Sequence, residues 1–312
     1  MKVFDSLSAS SGALRGCAVA IGNFDGVHLG HRALFELARA QAAQTGAKAV
    51  ALTFEPHPVR VLRPKLAPPL LTPLPRKLEL FTDCGLDATI VQPFDLAYAS
   101  AEAVTFVERD LAEHLGAADV IVGHDFTAGK GRTRVEGLRS LMEAAGGIRL
   151  HVVEPVASEG LVVSSTKIRE LLLEGNVEGA AQLLGRPHDV DGVVERGAGR
   201  GRGFGFPTAN VRPAAMVPAN GVYVIRARLG ASEYGGVCNV GVKPTVQEGG
   251  PVVTEAHLLD FDGRDLHGER IRIAFLACLR EERRFPSIDA LRAQIADDVA
   301  RARTLLAGLV QA

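Results

Sequence analysis

Cysteine is scarce in this chain: 4 in 312 residues, at Cys17, Cys84, Cys238 and Cys278, with no C-x-x-C pair. Spacing of that kind argues against the short zinc motifs and a disulfide framework, and it fits a reducing compartment. An excess of one charge is lacking too. The chain carries 35 basic and 36 acidic residues, for a formal net charge of −1. No global positive field is then available to draw in a nucleic acid or an anionic membrane, although a local basic patch stays open. Long apolar runs are also missing. Nothing reaches the length that spans a bilayer, and "MKVFDSLSASSG" lacks the apolar core of a signal peptide. The expectation is a cytoplasmic protein with no nucleic-acid or membrane partner. There is no internal repeat and no low-complexity segment.

What is present is core-forming material. Hydrophobic residues make up 47% of the chain and charged ones 23%, and 312 residues suit two domains. From Cys17 to about Glu154, short apolar runs alternate with amphipathic ones. "CAVAIG", "KAVALTF", "DATIVQ", "ADVIVG" and "RLHVVE" predict buried strands, while "HRALFELARAQAAQ" and "AEAVTFVERDLAEHL" predict helices. Strand, helix, strand, repeated, predicts a parallel sheet with helices on its faces. Two short helices follow, "TKIRELLLEGN" and "VEGAAQLLG", with Gly175 and Gly185 at their C-caps.

After Pro187 the character changes to glycine and period-two alternation. "YVIRARL" puts Tyr223, Ile225, Ala227 and Leu229 on one face, and "RIRIAF" does the same for Ile271, Ile273 and Phe275. Such runs predict half-buried antiparallel strands, hence a small barrel or sandwich. From Ser287 the period is helical again, with Ile288, Leu291, Ile295 and Val299 on one stripe. The expected organisation is an α/β domain over residues 1–186, then a β-rich domain over 187–312 closed by one long helix.

The first cluster with chemistry is "IGNFDGVHLGH", residues 21–31. A strand ends at Ile21 and a helix starts near Gly30. In an open α/β sheet, ligands bind at the carboxyl ends of strands, where unpaired helix N–H groups favour an anion. His28 and His31 are three apart, so a helical first turn lets both face one way and donate to phosphate oxygens. The same residues also fit a metal pair lacking a nearby third ligand, or an ordinary glycine turn with surface histidines. Common nucleotide fingerprints are absent: no G-x-G-x-x-G follows this strand, and "GHDFTAGKG" is one residue too long for a Walker A loop. Further on, "SSTKIRELL" offers Ser164, Ser165 and Thr166 ahead of Lys167 and Arg169 at a helix start. Hydroxyls favour helix caps, and Arg169 can bind a phosphate bidentately. Together with H-x-G-H, this segment resembles the motif pair that brackets a nucleoside triphosphate in the class I nucleotidyltransferase superfamily.

The second cluster is "GAGRGRGFGFPTANV", residues 197–211. Its glycines let a backbone bend over a ligand, and Arg200 and Arg202 supply charge beside Gly203. In "FPTAN", Thr208 and Asn210 share a face if extended, and their neutral oxygens suit magnesium whose charge is balanced by phosphates. Glu255, in "TEAHLLDFDGRDLHG", reads either as a solvated edge-strand residue or as a general base.

Taken in order, "GNFDGVHLGH", "TFEPHP", "GHDFTAGKGR", "SSTKIRELL", "LLGRP", "GFPTAN", "NVGVKPT", "EAHLLDF" and "LREERRF" cover nearly the whole chain. In that order they resemble the prokaryotic bifunctional riboflavin kinase/FAD synthetase family. The resemblance implies an N-terminal Rossmann-like nucleotidyltransferase domain and a C-terminal antiparallel riboflavin-kinase barrel. It implies ATP, riboflavin and FMN as small-molecule partners, FMN and FAD as products, and Mg2+ carried with ATP. It implies catalytic roles for His28, His31 and Glu255. ATP and phosphate contacts fall to Gly22, Asn23, Phe24, Asp25, Gly26, Ser165, Thr166, Arg169, Arg200, Arg202 and Gly203. Thr208 and Asn210 match the metal positions. Pro56, His57, Pro58, Asp125, Phe126, Arg280 and Phe285 match flavin-side positions. Asp125 stands where many relatives carry Asn, and His267 where Tyr is usual. Self-association is compatible with this reading. The rivals are an enzyme that keeps one activity only, an RNA-handling protein with a "HIGH"-like element, and a flavin sensor without turnover. Intact residues at both sites oppose the first, and a net charge near zero opposes the second.

Overall fold

The structure, a computed structural model, describes residues 1–196, 206–242 and 252–310. The chain packs as two compact units, Met1–Ser164 and Ser165–Ala312. Packing therefore groups residues 165–184 with the second unit, whereas the change in sequence character falls after residue 186. Among the described residues, no helix is long and apolar enough to cross a membrane.

The first unit runs β1 (Lys2–Phe4), β2 (Ala18–Ile21), α1 (Leu29–Thr45), β3 (Ala49–Glu55), α2 (Pro58–Leu62), α3 (Leu74–Asp83), β4 (Ala88–Pro93), α4 (Leu96–Ala99) and α5 (Ala103–Thr105). The last of these passes into a π-helical segment, Phe106–Leu115, followed by β5 (Asp119–Gly123), α6 (Val135–Ala144) and β6 (Arg149–Val153). A two-stranded ribbon, β7 (Ala157–Ser158) with β8 (Leu161–Val162), ends the unit. Six strands form one parallel sheet in the order β1-β4-β3-β2-β5-β6. All five predicted strands are in it. The edge strand β1 was not predicted, because three residues with only Phe4 buried carry no periodic signal.

The order has a functional consequence. From β2 the chain moves one way to β3 and β4, and from β5 it moves the other way. The β2–β5 boundary is thus the switch point, where the carboxyl ends of strands leave a crevice. Helix α1 packs there through Leu34, Phe35, Ala38 and Ala42, and Gly46 ends it in the left-handed conformation at φ 68°.

The second unit opens with α7 (Ser165–Leu173) and α8 (Val177–Leu184). Then β9 (His188–Glu195), β10 (Ala209–Pro213), β11 (Gly221–Leu229), β12 (Ser232–Val242), β13 (Val252–Leu258) and β14 (Arg270–Glu281) close an antiparallel barrel, and α9 (Ile288–Val310) follows. The alternation read from the sequence holds: Tyr223, Ile225, Ala227, Leu229, Ile271, Ile273 and Phe275 are all buried. The α9 stripe needs correction. Ile288 is exposed, Leu291, Ile295 and Val299 are half-buried with Val299 packed on the barrel, and among the described side chains of the helix the fully buried ones are Asp298 and Ala302. Ala302 packs with Val222, Val224, Val237 and Leu279 on the outer face of the barrel.

At the amino ends of β5 and β6, Asp119 is buried and accepts from Arg149 Nε and Nη2 at 2.7 and 2.6 Å, and pairs with His151 Nε2 at 2.7 Å. Burial pushes its carboxyl up, but the bonds from Arg149 and His151 outweigh that and hold it below the ordinary value. A depressed carboxylate stabilises the fold above the unfolded pKa and loses that contribution as pH falls through the folded one. Asp119→Asn should therefore lower stability by about 1–3 kcal/mol at neutral pH, measured by urea denaturation. The gap from the unsubstituted protein should shrink as pH falls below about 3.9. Equal midpoints at neutral pH would count against this pin.

Candidate active site

The turn between β2 and α1 is strained and densely packed. Phe24 and Val27, neither of them glycine, sit at φ 52° and 45°, alongside Gly26 at 91°. A β-branched residue in this region is an outlier, costing on the order of 1–3 kcal/mol, and it persists only where packing enforces it. Here packing does. Phe24 and Val27 are fully buried, and the Phe24 ring meets Phe35, His31 and Phe81 at centroid distances of 4.7, 5.3 and 5.6 Å.

His28 is the N-cap of α1. Its Nδ1 accepts from the His31 backbone N–H at 3.3 Å. A nitrogen that accepts carries no proton, so the neutral ring holds its hydrogen on Nε2. The His28 and His31 rings stack with centroids 3.6 Å apart and planes 18° apart. Gly30 makes room for this: a Cβ there would lie 3.2 Å from the His28 ring. His31 Nδ1 is enclosed with no protein hydrogen-bond partner among the described residues. Burial holds the His31 pKa well below the usual histidine value, with His28 and Lys77 adding to the effect. The His31 ring is therefore held neutral, and the two rings stand together at the switch point, at the N-terminus of α1.

Other predicted residues of this unit are held in identifiable ways. Gly22 lies against the Phe24 ring, 3.0 Å from where a Cβ would be. The Asn23 carbonyl accepts from Lys77 Nζ at 2.8 Å and from Thr53 Oγ1 at 3.3 Å. Asp25, 2% exposed, accepts from the Leu71 and Thr72 amides at 2.9–3.1 Å. An ionised carboxylate only accepts, so Asp25 braces the turn from behind by gripping a second loop. His57 caps α2 as His28 caps α1, its Nδ1 accepting from Val59 at 3.3 Å with Pro58 as the first helical residue. Pro56 and Asp125 are exposed, and Phe126 is half-buried against the core.

Sequence reasoning missed an aromatic trio at the carboxyl ends of β3 and β4. Phe54, Phe94 and Tyr98 have centroids 5.7–6.2 Å apart. Tyr98 donates to Asp110 at 2.9 Å. Burial and then Asp110 push its hydroxyl well up, so it stays a donor.

In the second unit, strand register does the assembling. Asn210 on β10 lies opposite Glu255 on β13, and Glu255 lies opposite Asn239 on β12. Directly opposite side chains have Cβ atoms about 4.5–5.5 Å apart, so these three form one half-buried row. Thr208 precedes β10 and is half-buried. Its approach is fixed by His257, two residues beyond Glu255. There Nδ1–H donates to the Pro207 carbonyl at 2.9 Å, and the ring meets Phe206 edge-on at 5.5 Å. Neither Asn239 nor His257 was identified from the sequence. Both become visible only once the strands are aligned.

Arg280 extends the same row, opposite Val222, which in turn pairs with Asn239. Its guanidinium is committed to the buried Asp298 of α9, from Nε at 3.0 Å and Nη2 at 2.8 Å. The Phe285 ring lies 5.5 Å from the same guanidinium. Ser165, Thr166 and Arg169 occupy the first turns of α7. Arg200, Arg202 and Gly203 lie outside the described residues.

Comparison with known proteins covers both units. The FAD synthetase family model matches residues 10–167, and the riboflavin kinase family model matches residues 184–306. Proteins named bifunctional riboflavin kinase/FMN adenylyltransferase are similar over almost their whole length. The one from Pseudomonas fluorescens is 39% identical over 94% of each chain. The one from Escherichia coli K12 is 38% identical over 92% of each, and the one from Bacillus subtilis is 36% identical over 90% of this chain and 89% of its own. A crystal structure from Streptococcus pneumoniae, titled a macrolide-efflux protein, superposes with a TM-score of 0.85 at 28% identity, covering 96% of this chain and 98% of its own.

The grip of Asp25 has a local consequence. Asp25→Ala should speed hydrogen–deuterium exchange at the Leu71 and Thr72 amides by about tenfold or more, the effect of losing a charge-assisted bond. Unchanged protection there would refute the brace.

Proposed function

The chain belongs to the bifunctional riboflavin kinase/FMN adenylyltransferase family, and on that premise we propose how its residues divide the work. The enzyme phosphorylates riboflavin to FMN with ATP and then adenylylates FMN to FAD, releasing pyrophosphate. In this proposal residues 1–186 carry the second reaction and residues 187–312 the first. The reading rests on one observation above all: Glu255 sits between two amide side chains, Asn210 and Asn239, on adjacent strands of the barrel.

In phosphorylation, Glu255 accepts the proton of the ribityl 5′-hydroxyl as its oxygen bonds to the γ-phosphorus. The bond from that phosphorus to the bridging oxygen breaks, and ADP leaves with the electron pair. Little covalent chemistry is asked of the protein, because phosphoryl transfer depends on positioning and charge neutralisation. Magnesium enters as part of the substrate, MgATP. Among the described residues no group of three or more His, Cys, Asp or Glu is placed to hold a metal. Neutral oxygens from Thr208 and Asn210 suit an ion whose charge is balanced by phosphates. Arg200, Arg202 and Gly203 serve the nucleotide phosphates. Arg280, braced by Asp298, and Phe285 serve the flavin.

In adenylyl transfer, an oxygen of the FMN phosphate attacks the α-phosphorus of ATP and pyrophosphate departs. The phosphate monoester is its own nucleophile, so no side-chain nucleophile is required. Charge grows on the α-phosphate oxygens and on the leaving group. His28 and His31 donate to that charge from a preorganised turn, which is where a donor counts most. Gly22, Asn23, Phe24 and Gly26 shape the turn, with Asp25 as its brace. Ser165, Thr166 and Arg169 act as phosphate ligands from the first turns of α7. Pro56, His57, Pro58, Asp125 and Phe126 belong to the flavin side, joined by Phe54, Phe94 and Tyr98. None of the four cysteines forms a disulfide, which accords with a cytoplasmic setting.

Two variants separate the activities. Glu255→Gln should lower riboflavin phosphorylation by about 10²–10⁴-fold while FMN-to-FAD conversion continues. His28→Ala should do the reverse, lowering FAD formation by about 10²–10³-fold with FMN formation intact. Chromatography of the flavins reads both. Loss of both reactions in a folded Glu255→Gln protein would break the division proposed here, and near-normal FAD synthesis by His28→Ala would remove that residue from catalysis.

A further inference from the structure

Lys77 on α3 is a buried charge to which neither reaction has given a task. Its side chain is 2% exposed, and its Nζ donates to the Asn23 carbonyl at 2.8 Å, in the turn that carries the histidines. Enclosing an ammonium costs several kcal/mol unless something offsets the loss of water. Attraction from Asp25 and Glu55 does so in part, yet burial prevails and leaves the lysine pKa lowered.

The neighbouring rings explain what such a charge would do. Two imidazoles stacked at 3.6 Å repel once both are charged. Charging His31 would also turn its enclosed Nδ1 into a donor that has no acceptor. The groups acting on His31 are His28 from its own turn and Lys77 from α3. On the strands that pack with α1, Ala20, Ala51 and Ile121 carry no charge, and the charged residues alternating onto the same faces are Glu55 on β3 and Asp119 at the amino end of β5, the latter held by Arg149 and His151. Asp25 and Glu55 act on Lys77.

We propose that Lys77 is a positioning residue for adenylyl transfer, its buried ammonium fixing the Asn23 carbonyl and with it the turn on which His31 stacks against His28. The inference rests on the adenylyltransferase reading of this site. It divides the electrostatic work in two. Lys77 places a positive charge behind the turn, screened from solvent and therefore effective over several ångströms. The histidines supply directed N–H groups that need no protonation change to meet the phosphates.

The test is Lys77→Met, which keeps the length of the side chain and removes its charge. FMN-to-FAD conversion is followed from about pH 5 to 8, the range in which histidine titrates. Riboflavin phosphorylation in the same preparations reports on the folded chain. The expected result is a fall in kcat for FAD formation of about tenfold or more, as misplacement near the reacting atoms produces. The acidic limb of its pH profile should move upward, because His31 takes a proton more readily without Lys77 beside it, while FMN formation stays at the unsubstituted rate. Unchanged FAD formation overturns the inference. So does a fall in rate with an unmoved acidic limb, which would make Lys77 a strut. Should Lys77→Met lose both reactions, Lys77→Arg decides: a retained charge must leave the acidic limb where it was, and a shifted limb overturns the inference. If the unsubstituted protein makes no FAD from FMN, the reading of the site fails and not the role of Lys77.

Discussion

The His31 amide donates to Nδ1 of His28 at 3.3 Å, and that bond acts on three levels at once. It satisfies a helix N-terminal N–H that would otherwise lack a partner. It fixes which nitrogen of His28 bears the proton. It also holds the two rings face to face, beside a glycine at position 30 whose added Cβ would lie 3.2 Å from the His28 ring. In the proposed reading, a donor pair for phosphate is thereby built before any ligand arrives, and preorganisation of this kind is what lowers a barrier. Around it, the strained Phe24 and Val27, the Asp25 brace and the buried Lys77 keep the turn in one shape.

The second site meets a different demand by a different device. Phosphorylating a hydroxyl requires a proton acceptor, whereas a phosphate nucleophile requires none. In the proposed reading, the barrel supplies the acceptor by register. Glu255 lies across from Asn210 and Asn239, and His257 on the same strand ties down the segment leading to Thr208. A shift of one residue between β10 and β13 would turn these side chains into the barrel and dismantle the row. On the far side, Asp298 of α9 holds Arg280, so the closing helix and the row share one ion pair.

Much of this was legible in the sequence because the physics is periodic or local. Strict alternation in "YVIRARL" named a buried face correctly, and the strand–helix rhythm predicted the parallel sheet. The His28 and His31 spacing, three apart at a strand-to-helix turn, pointed to an anion site because both can face one way beside unpaired helix N–H groups. What escaped were charges in unexpected places. Lys77 and Asp298 lie in amphipathic helices, where a charge ordinarily faces water, and only tertiary contacts turn them inward. Asn239, His257 and the Phe54, Phe94 and Tyr98 trio come together through strand pairing, which one sequence does not encode locally. The strain at Val27 is equally invisible, since nothing in a valine announces a positive φ.

The central claim is that one chain carries two separate phosphorus chemistries in sequence. Its most direct test is product stoichiometry. The purified protein is incubated with riboflavin, excess ATP and magnesium, and the flavins, ADP and pyrophosphate are quantified over time. FMN should rise before FAD, and each FAD formed should be matched by one ADP and one pyrophosphate. Unchanged riboflavin, or FMN that never becomes FAD in the presence of ATP, would contradict the account.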